Sequence, residues 1–148
     1  MFRFRAQAAL DLRRRQEEDA LRHLARAEED RDRARRRLED AKTAAAVARG
    51  AAAAAAENGA SITTLEWYRF WILRLDHERA TSASVLGARE YDVKQASEAC
   101  MRARQKCESL QRLKDKARRQ YDAAENAAEQ KLIDNLAVQR FAAARATR

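Results

Sequence analysis

The chain has 148 residues, a formal net charge of +8, and 36% charged beside 46% hydrophobic residues. Strong helix formers dominate, proline is absent and only three glycines occur, which excludes a β-sheet protein and a thick globular core. We expect a single elongated helical domain over residues 1–148.

The first predicted helix covers about residues 3–57, and its sequence has a heptad repeat, which we call the sevens. A sustained repeat of seven is typical of a coiled coil. Because alanine fills much of one core position, we predict that the two helices approach closely toward the turn. The two core positions hold Leu10, Glu17, Leu24, Arg31, Leu38, Ala45 and Ala52, and Ala20, Ala27, Ala34, Ala41 and Ala48.

Turn chemistry is concentrated at residues 58–62, where Asn58 and Gly59 tolerate the left-handed backbone that ends helices. A second helix is predicted over about residues 63–145, with Thr63 opening a capping box that Glu66 closes. The sevens continue along it at Ile72, Arg79, Leu86, Val93, Cys100, Cys107, Lys114 and Tyr121, and at Leu75, Ser82, Arg89, Ala96, Ala103, Leu110, Ala117 and Ala124.

Charged residues within the repeat indicate how the helices pair. In a hairpin that turns near residue 60, facing residues have numbers that sum to about 121, which places Glu17 opposite Arg104 and Arg31 opposite Glu90. A parallel homodimer would instead oppose like charges. We therefore predict an all-α fold, a long two-helix antiparallel coiled coil (an α-hairpin), and favour a monomer over a homodimer.

The same register predicts a C-terminal helical overhang. From Arg119 onward, roughly 30 residues have no helix beside them, yet the stretch remains amphipathic. Its larger apolar residues are Leu132, Ile133, Leu136 and Phe141. An apolar stripe without an intramolecular partner indicates a docking surface. Alternatively, Phe2 and Phe4 fold back over it, or the tail frays.

Large apolar residues also concentrate directly after the turn, at Leu65, Trp67, Tyr68, Phe70, Trp71, Ile72 and Leu75. A two-helix seam can bury only one side of them, and the opposing segment, residues 44–56, is mostly alanine. Large aromatic residues at a surface are typical anchors of interfaces. The alternative is a hydrophobic plug that steadies the turn.

Other function classes find little support. No glycine-rich phosphate loop, nucleophile elbow or metal-ligand cluster is present, so we expect no enzyme and no cofactor. Cys100 and Cys107 lie too far apart along a helix to form a disulfide and are interpreted as small seam residues. Acidic residues interleave with the arginine clusters, which argues against nucleic acid. No apolar run is long enough to span a membrane, and a cytoplasmic location is expected.

Both termini resemble one known family. The opening Phe2-Arg3-Phe4-Arg5-Ala6-Gln7, followed by Leu10 and Arg13-Arg14-Arg15, resembles the N-terminal signature of the flagellar export protein FliJ family. The ending, from Glu129-Gln130-Lys131-Leu132 to Ala137, resembles that family's C-terminal motif. The resemblance covers essentially the whole chain.

The resemblance implies a non-catalytic stalk that links the hexameric flagellar export ATPase to the cytoplasmic domain of the export-gate membrane protein and escorts export chaperones. It implies ATPase docking through Phe2, Phe4, Leu10, Leu132, Ile133, Leu136 and Phe141. It implies gate docking through the aromatic end, at Trp67, Phe70, Trp71 and Leu75. The expected location is the cytoplasmic face of the inner membrane, with peripheral association through partners. Two alternatives stay open: the equivalent stalk of a virulence type III secretion system, and a basic coiled coil that binds nucleic acid or membrane.

Overall fold

Two long helices make up nearly all of the structure. The computed structural model describes residues 2–146, with the side chains of Ala144 and Ala146 excepted. Helix α1 runs over Gln7–Glu57 and helix α2 over Ile62–Ala146, and no strand occurs among the described residues. The two helices pack against each other, so the predicted all-α helical hairpin is confirmed.

The chain forms two compact units. The terminal unit combines Met1–Glu17 with Ala103–Arg148, and the turn unit is Glu18–Arg102. Met1, Thr147 and Arg148 lie outside the described residues. The expectation of a single domain over residues 1–148 stays a prediction.

The turn unit buries a narrow seam that follows the predicted sevens. Its buried apolar side chains are Ala34, Leu38, Ala41, Ala45, Ala48 and Leu75. Ala45, Ala48 and Leu75 form one cluster, against which Ile72 packs. Leu75 of α2 thus packs against the alanine face of α1. An ion pair links the two helices beside this cluster, from Arg49 to Asp76, and Arg79 also contacts Asp76.

The terminal unit buries fewer side chains. Leu10 is fully buried and Cys107 nearly so, and Arg14 donates a hydrogen bond across to Gln111 at 2.9 Å. Leu10 and Cys107 both occupy positions of the sevens. Burial raises the pKa of the Cys107 thiol, and the adjacent Glu17 carboxylate raises it further. Cys100 and Cys107 are free thiols, as expected.

The observed register agrees with the prediction to within about one helical turn. The facing residues Arg14 and Gln111 have numbers that sum to 125, as do Arg49 and Asp76, against the predicted value of about 121. The sevens therefore predicted which faces meet, and the long arginine side chains reach partners up to one turn away.

The turn ends α1 in the way that Asn58-Gly59 predicts. Gly59 adopts a φ of 74°, the left-handed region in which glycine has no steric penalty. Its amide donates to the Ala56 carbonyl at 3.1 Å, and the Ala60 amide donates to the Ala55 carbonyl at 3.0 Å. These two bonds define a Schellman motif, which satisfies carbonyls that the helix end would otherwise leave open.

The predicted cap of the second helix is wrong by two residues. Helix α2 begins at Ile62, and Ser61 is its N-cap: the Ser61 hydroxyl accepts from the Thr64 amide at 3.2 Å. The predicted cap, Thr63, already lies within the first turn. Because the Schellman motif ends at Ala60, the chain can enter the next helix at once, and Ser61 is the first side chain placed to cap it.

The first helix begins later than predicted, at Gln7 rather than near residue 3. The Gln7 amide donates to the Phe4 carbonyl at 3.1 Å, which makes a turn of residues 4–7. The Phe2 ring lies against α2, with its centroid 5.7 Å from that of Tyr121, and the Arg118 guanidinium lies 5.6 Å from the Phe2 ring. This anchoring holds the first residues against α2 instead of continuing α1.

Candidate docking surfaces

The last part of α2 is an exposed helix. All the described side chains of residues 123–143 are exposed, so the predicted overhang is confirmed. We call the apolar residues Leu132, Ile133, Leu136 and Phe141 the terminal surface. Their exposed fractions lie between 48% and 71%, which is unusual for four large apolar residues within ten positions.

Local hydrogen bonds support the helix where packing does not. Arg118 donates to Asp122 at 3.0 Å, Tyr121 donates to Glu125 at 2.8 Å, and Gln130 donates to Asp134 at 2.9 Å. Each pair is spaced four residues apart, the spacing that places side chains next to each other on a helix. The bond to Glu125 raises the pKa of the Tyr121 phenol.

The N-terminal residues predicted to dock differ in burial. Phe2 is half-buried against Tyr121, and Phe4 is also half-buried. Leu10 is fully buried in the seam. The structure thus does not bring these residues into the terminal surface, and Phe2 does not cover it, because Phe2 contacts α2 eleven residues before Leu132.

The residues after the turn form a second exposed cluster. Trp67, Phe70 and Trp71 are all exposed, and we call them the turn surface. The two indole rings stack, with centroids 6.0 Å apart and planes 6° from parallel. The Arg74 guanidinium lies 5.8 Å from the Trp71 ring, so a cation extends the column of rings.

A shallow groove of about 350 Å³ adjoins the turn surface. Its lining is Ala44, Val47, Ala48, Ala51, Trp67, Tyr68, Trp71 and Leu75. The alanines of α1 form its floor and the aromatic residues of α2 its wall. Val47 and Arg74 were not predicted from the sequence. Val47 is exposed and lies outside the core positions of the sevens. An apolar residue at such a position is the sequence signal that could have identified it.

Comparison with known families resolves what kind of protein carries these surfaces. The family model described as flagellar FliJ protein matches residues 3–146. The chain belongs to the FliJ family. It is therefore a protein associated with flagellar type III export, and the family is non-enzymatic. No curated protein and no solved structure gives a significant match.

Two of the residues that the FliJ resemblance assigned to docking are buried. Leu10 has an exposed fraction of 0% and Leu75 one of 7%. Both lie at core positions of the sevens, where their side chains pack within the hairpin, and their docking roles stay predictions. Of the other residues to which the FliJ resemblance assigns docking, Trp67, Phe70, Trp71 and the terminal surface are exposed, and Phe2 and Phe4 are half-buried.

The seam ion pairs expected in this FliJ-family chain, Glu17–Arg104 and Arg31–Glu90, stay predictions. Both arginines also contact acids on their own helix. Arg31 binds Asp32, with 2.8 Å between Nη2 and Oδ1, and Arg104 Nε donates to Glu108 at 2.9 Å. Asp30, next to Arg31, binds Arg33 on its own helix, and this bond lowers the pKa of the Asp30 carboxyl. Arg89 of α2, next to Glu90, lowers the same pKa more weakly.

Within the described part of this FliJ-family chain, no helix is long and apolar enough to cross a membrane. No cluster of three or more His, Cys, Asp or Glu side chains among those residues could hold a metal ion.

Proposed function

We propose that this FliJ-family protein is a non-catalytic stalk and chaperone component of the flagellar export apparatus, which links the hexameric export ATPase to the export gate. The terminal surface would bind the ATPase, and the turn surface would bind the cytoplasmic domain of the gate protein. Because the matching family model is the flagellar one, a flagellar system is favoured over a virulence secretion system.

The observation that carries the proposal is the exposure of the last part of α2. Residues 123–143 are exposed throughout, yet they carry large apolar side chains that gain nothing from intramolecular packing. An amphipathic helix with an open apolar face is the form that fits into a hydrophobic groove of another protein. The terminal unit that contains this helix has 16 basic and 8 acidic side chains, whereas residues 123–143 themselves carry two basic and three acidic ones.

The ATPase arm is tested with the double variant Leu132→Asp plus Leu136→Asp. We expect it to abolish binding to the purified export ATPase and to leave the helix content unchanged by circular dichroism. The matched control is Leu12→Asp plus Leu113→Asp, which changes two exposed leucines of the same unit outside the terminal surface. Retained ATPase binding by the first variant would contradict the proposal.

The gate arm is tested in the same way at the turn surface. Trp67→Ala plus Trp71→Ala removes the stacked indole pair, and we expect it to weaken binding to the cytoplasmic domain of the gate protein by at least ~10-fold, as for interface aromatic anchors. Leu73→Ala is the control, because Leu73 is exposed but does not line the groove. Equal loss in both variants would count against a role for the indole pair.

The remaining assignments follow from the same role. We propose that the protein acts as a monomer, escorts export chaperones, and works on the cytoplasmic face of the inner membrane through its partners. Light scattering after size exclusion distinguishes a monomer from a dimer, and a dimeric mass at micromolar concentration would overturn the monomer assignment.

A further inference from the structure

The residues before α1 form a short strap along α2. We call residues 2–6 the strap. Phe2 and Phe4 are half-buried, and Arg3 and Arg5, which alternate with them, are exposed. An alternation of period two is that of an extended segment that packs on one side. The strap therefore turns its aromatic rings toward the protein and its guanidinium groups toward solvent.

The strap is held to α2 by side chains. The Phe2 ring lies 5.7 Å from the Tyr121 ring and 5.6 Å from the Arg118 guanidinium, measured to the ring centroids. Arg118 is itself fixed by Asp122, since its Nε lies 3.0 Å from both carboxylate oxygens. Over residues 2–146, no backbone hydrogen bond joins the strap to α2. The strap can thus leave α2 without breaking the seam or any backbone hydrogen bond of a helix.

The seat of the strap lies on a helical face that also carries part of the terminal surface. At roughly 100° per residue, Tyr121 falls about 20° from Leu132 and about 60° from Leu136 around the axis of α2. Ile133 and Phe141 lie farther round, about 120° and 160° from Tyr121. A partner that covers the two leucines and extends along their face toward the hairpin therefore meets the strap.

We propose that the strap is a latch, closed on Tyr121 in the free chain, which opens when the partner of the terminal surface binds. Opening exposes Tyr121 and releases the rings of Phe2 and Phe4, so the apolar area offered to the partner extends toward the hairpin. This inference rests on the proposed ATPase binding and adds its regulation. It also explains why two residues to which the FliJ resemblance assigns docking are half-buried, since they become accessible only when the strap opens.

A closed strap lowers the apparent affinity for the partner, because only the open fraction of the chain is competent to bind. A substitution that weakens the closed form but keeps all three rings should therefore tighten binding. Arg118→Gln is such a substitution, since it removes the cation from the Phe2 ring. Arg119→Gln is the matched control: it removes the same charge at the next residue, whose side chain donates to the Asp115 carbonyl.

Fluorine NMR of the full chain tests the strap without a partner. Labelling with 4-fluorophenylalanine gives one signal for each of the four phenylalanines, and Phe2→Leu identifies the signal of Phe2. We expect the Phe2 signal to differ from its position in urea, to move toward that position in Arg118→Gln, and to stay in place in Arg119→Gln. A Phe2 signal that already has its urea position in the unmodified chain, or that moves equally in both variants, would overturn the latch.

Binding to the hexameric flagellar export ATPase, followed by fluorescence anisotropy, tests the coupling. Arg118→Gln should bind ~2- to 5-fold more tightly than Arg119→Gln, the factor that a cation over an aromatic ring contributes at an exposed site. Equal or weaker binding of Arg118→Gln would overturn the coupling and leave ATPase binding established. No binding by the unmodified chain would overturn the proposed function, and the coupling with it, but not the closed strap, which the fluorine signals decide.

Discussion

The terminal unit and the turn unit share the same heptad repeat but differ in charge and in how much of it is buried. The turn unit has 15 basic and 15 acidic side chains, so it is neutral, and it buries a continuous seam of alanine and leucine. The terminal unit carries the whole net charge of +8, and α2 continues in it beyond its last contact with the N-terminal segment. The comparison shows that the chain stabilises itself where two helices form the seam. Where α2 continues without α1 beside it, its side chains are exposed and available to a partner.

The largest expected effect separates seam leucines from surface leucines. Leu10→Ala in the terminal unit and Leu75→Ala in the turn unit should each lower the free energy of unfolding by about 2–5 kcal/mol, because each removes a buried side chain. Leu136→Ala should change it by less than about 0.5 kcal/mol, since Leu136 is exposed. Urea unfolding followed by circular dichroism measures all three. A cost at Leu136 equal to that at Leu10 would break the comparison.

The next effect concerns the turn, which only the turn unit contains. Gly59→Ala should destabilise the protein by about 1–2 kcal/mol, because alanine is strained at a φ of 74°. Gly50→Ala should have the opposite sign and stabilise by about 1 kcal/mol, because Gly50 is helical and a Cβ there meets nothing within 4 Å. Thermal unfolding of the two variants gives the signs directly, and equal signs would contradict the assigned turn.

A smaller effect tests the helix cap. Ser61→Ala should cost about 1 kcal/mol, because it removes the acceptor of the Thr64 amide. Thr63→Ala should cost clearly less, since Thr63 lies inside the first turn of α2. If the two costs were reversed in a urea titration, the capping box that the sequence suggested would be correct after all.

The smallest effect compares one thiol from each unit. Cys107 of the terminal unit is buried, and burial together with Glu17 raises the pKa of its thiol, so less thiolate is present at a given pH. Labelling with Ellman's reagent should therefore reach Cys107 more slowly than the half-buried Cys100, and the labelling rate of Cys107 should begin to rise only at a pH above the ordinary thiol range. The Cys100→Ser and Cys107→Ser variants separate the two signals. Equal rates in the folded protein, matching those in denaturant, would show that the seam at Cys107 is open.

The repeat of seven predicted most of the fold from sequence alone. It gave the buried faces of both helices, and the break at Asn58-Gly59 gave the end of α1. The repeat also predicts burial of two residues to which the resemblance assigns docking, because Leu10 and Leu75 occupy core positions. The docking role that the family resemblance implies for these two residues stays a prediction.

Other features could not be read from the pattern. Ser61 and Thr63 are both acceptable caps, and only the geometry of the Schellman motif decides between them. The sequence also does not determine which acid each arginine binds, because a long side chain reaches acids on its own helix as easily as those across the seam. Arg31, which binds the adjacent Asp32, is the plainest case.

The stacked pair of Trp67 and Trp71 has a practical consequence. The chain contains two tryptophans, and both belong to this pair, with ring centroids 6.0 Å apart. Intrinsic fluorescence excited at the red edge of the indole band therefore arises from one site, and the coupled transitions of two parallel indoles should add a distinct feature to the circular dichroism spectrum. Binding at the turn surface can then be followed by fluorescence or circular dichroism of the unlabelled protein, while binding at the terminal surface should leave both signals unchanged.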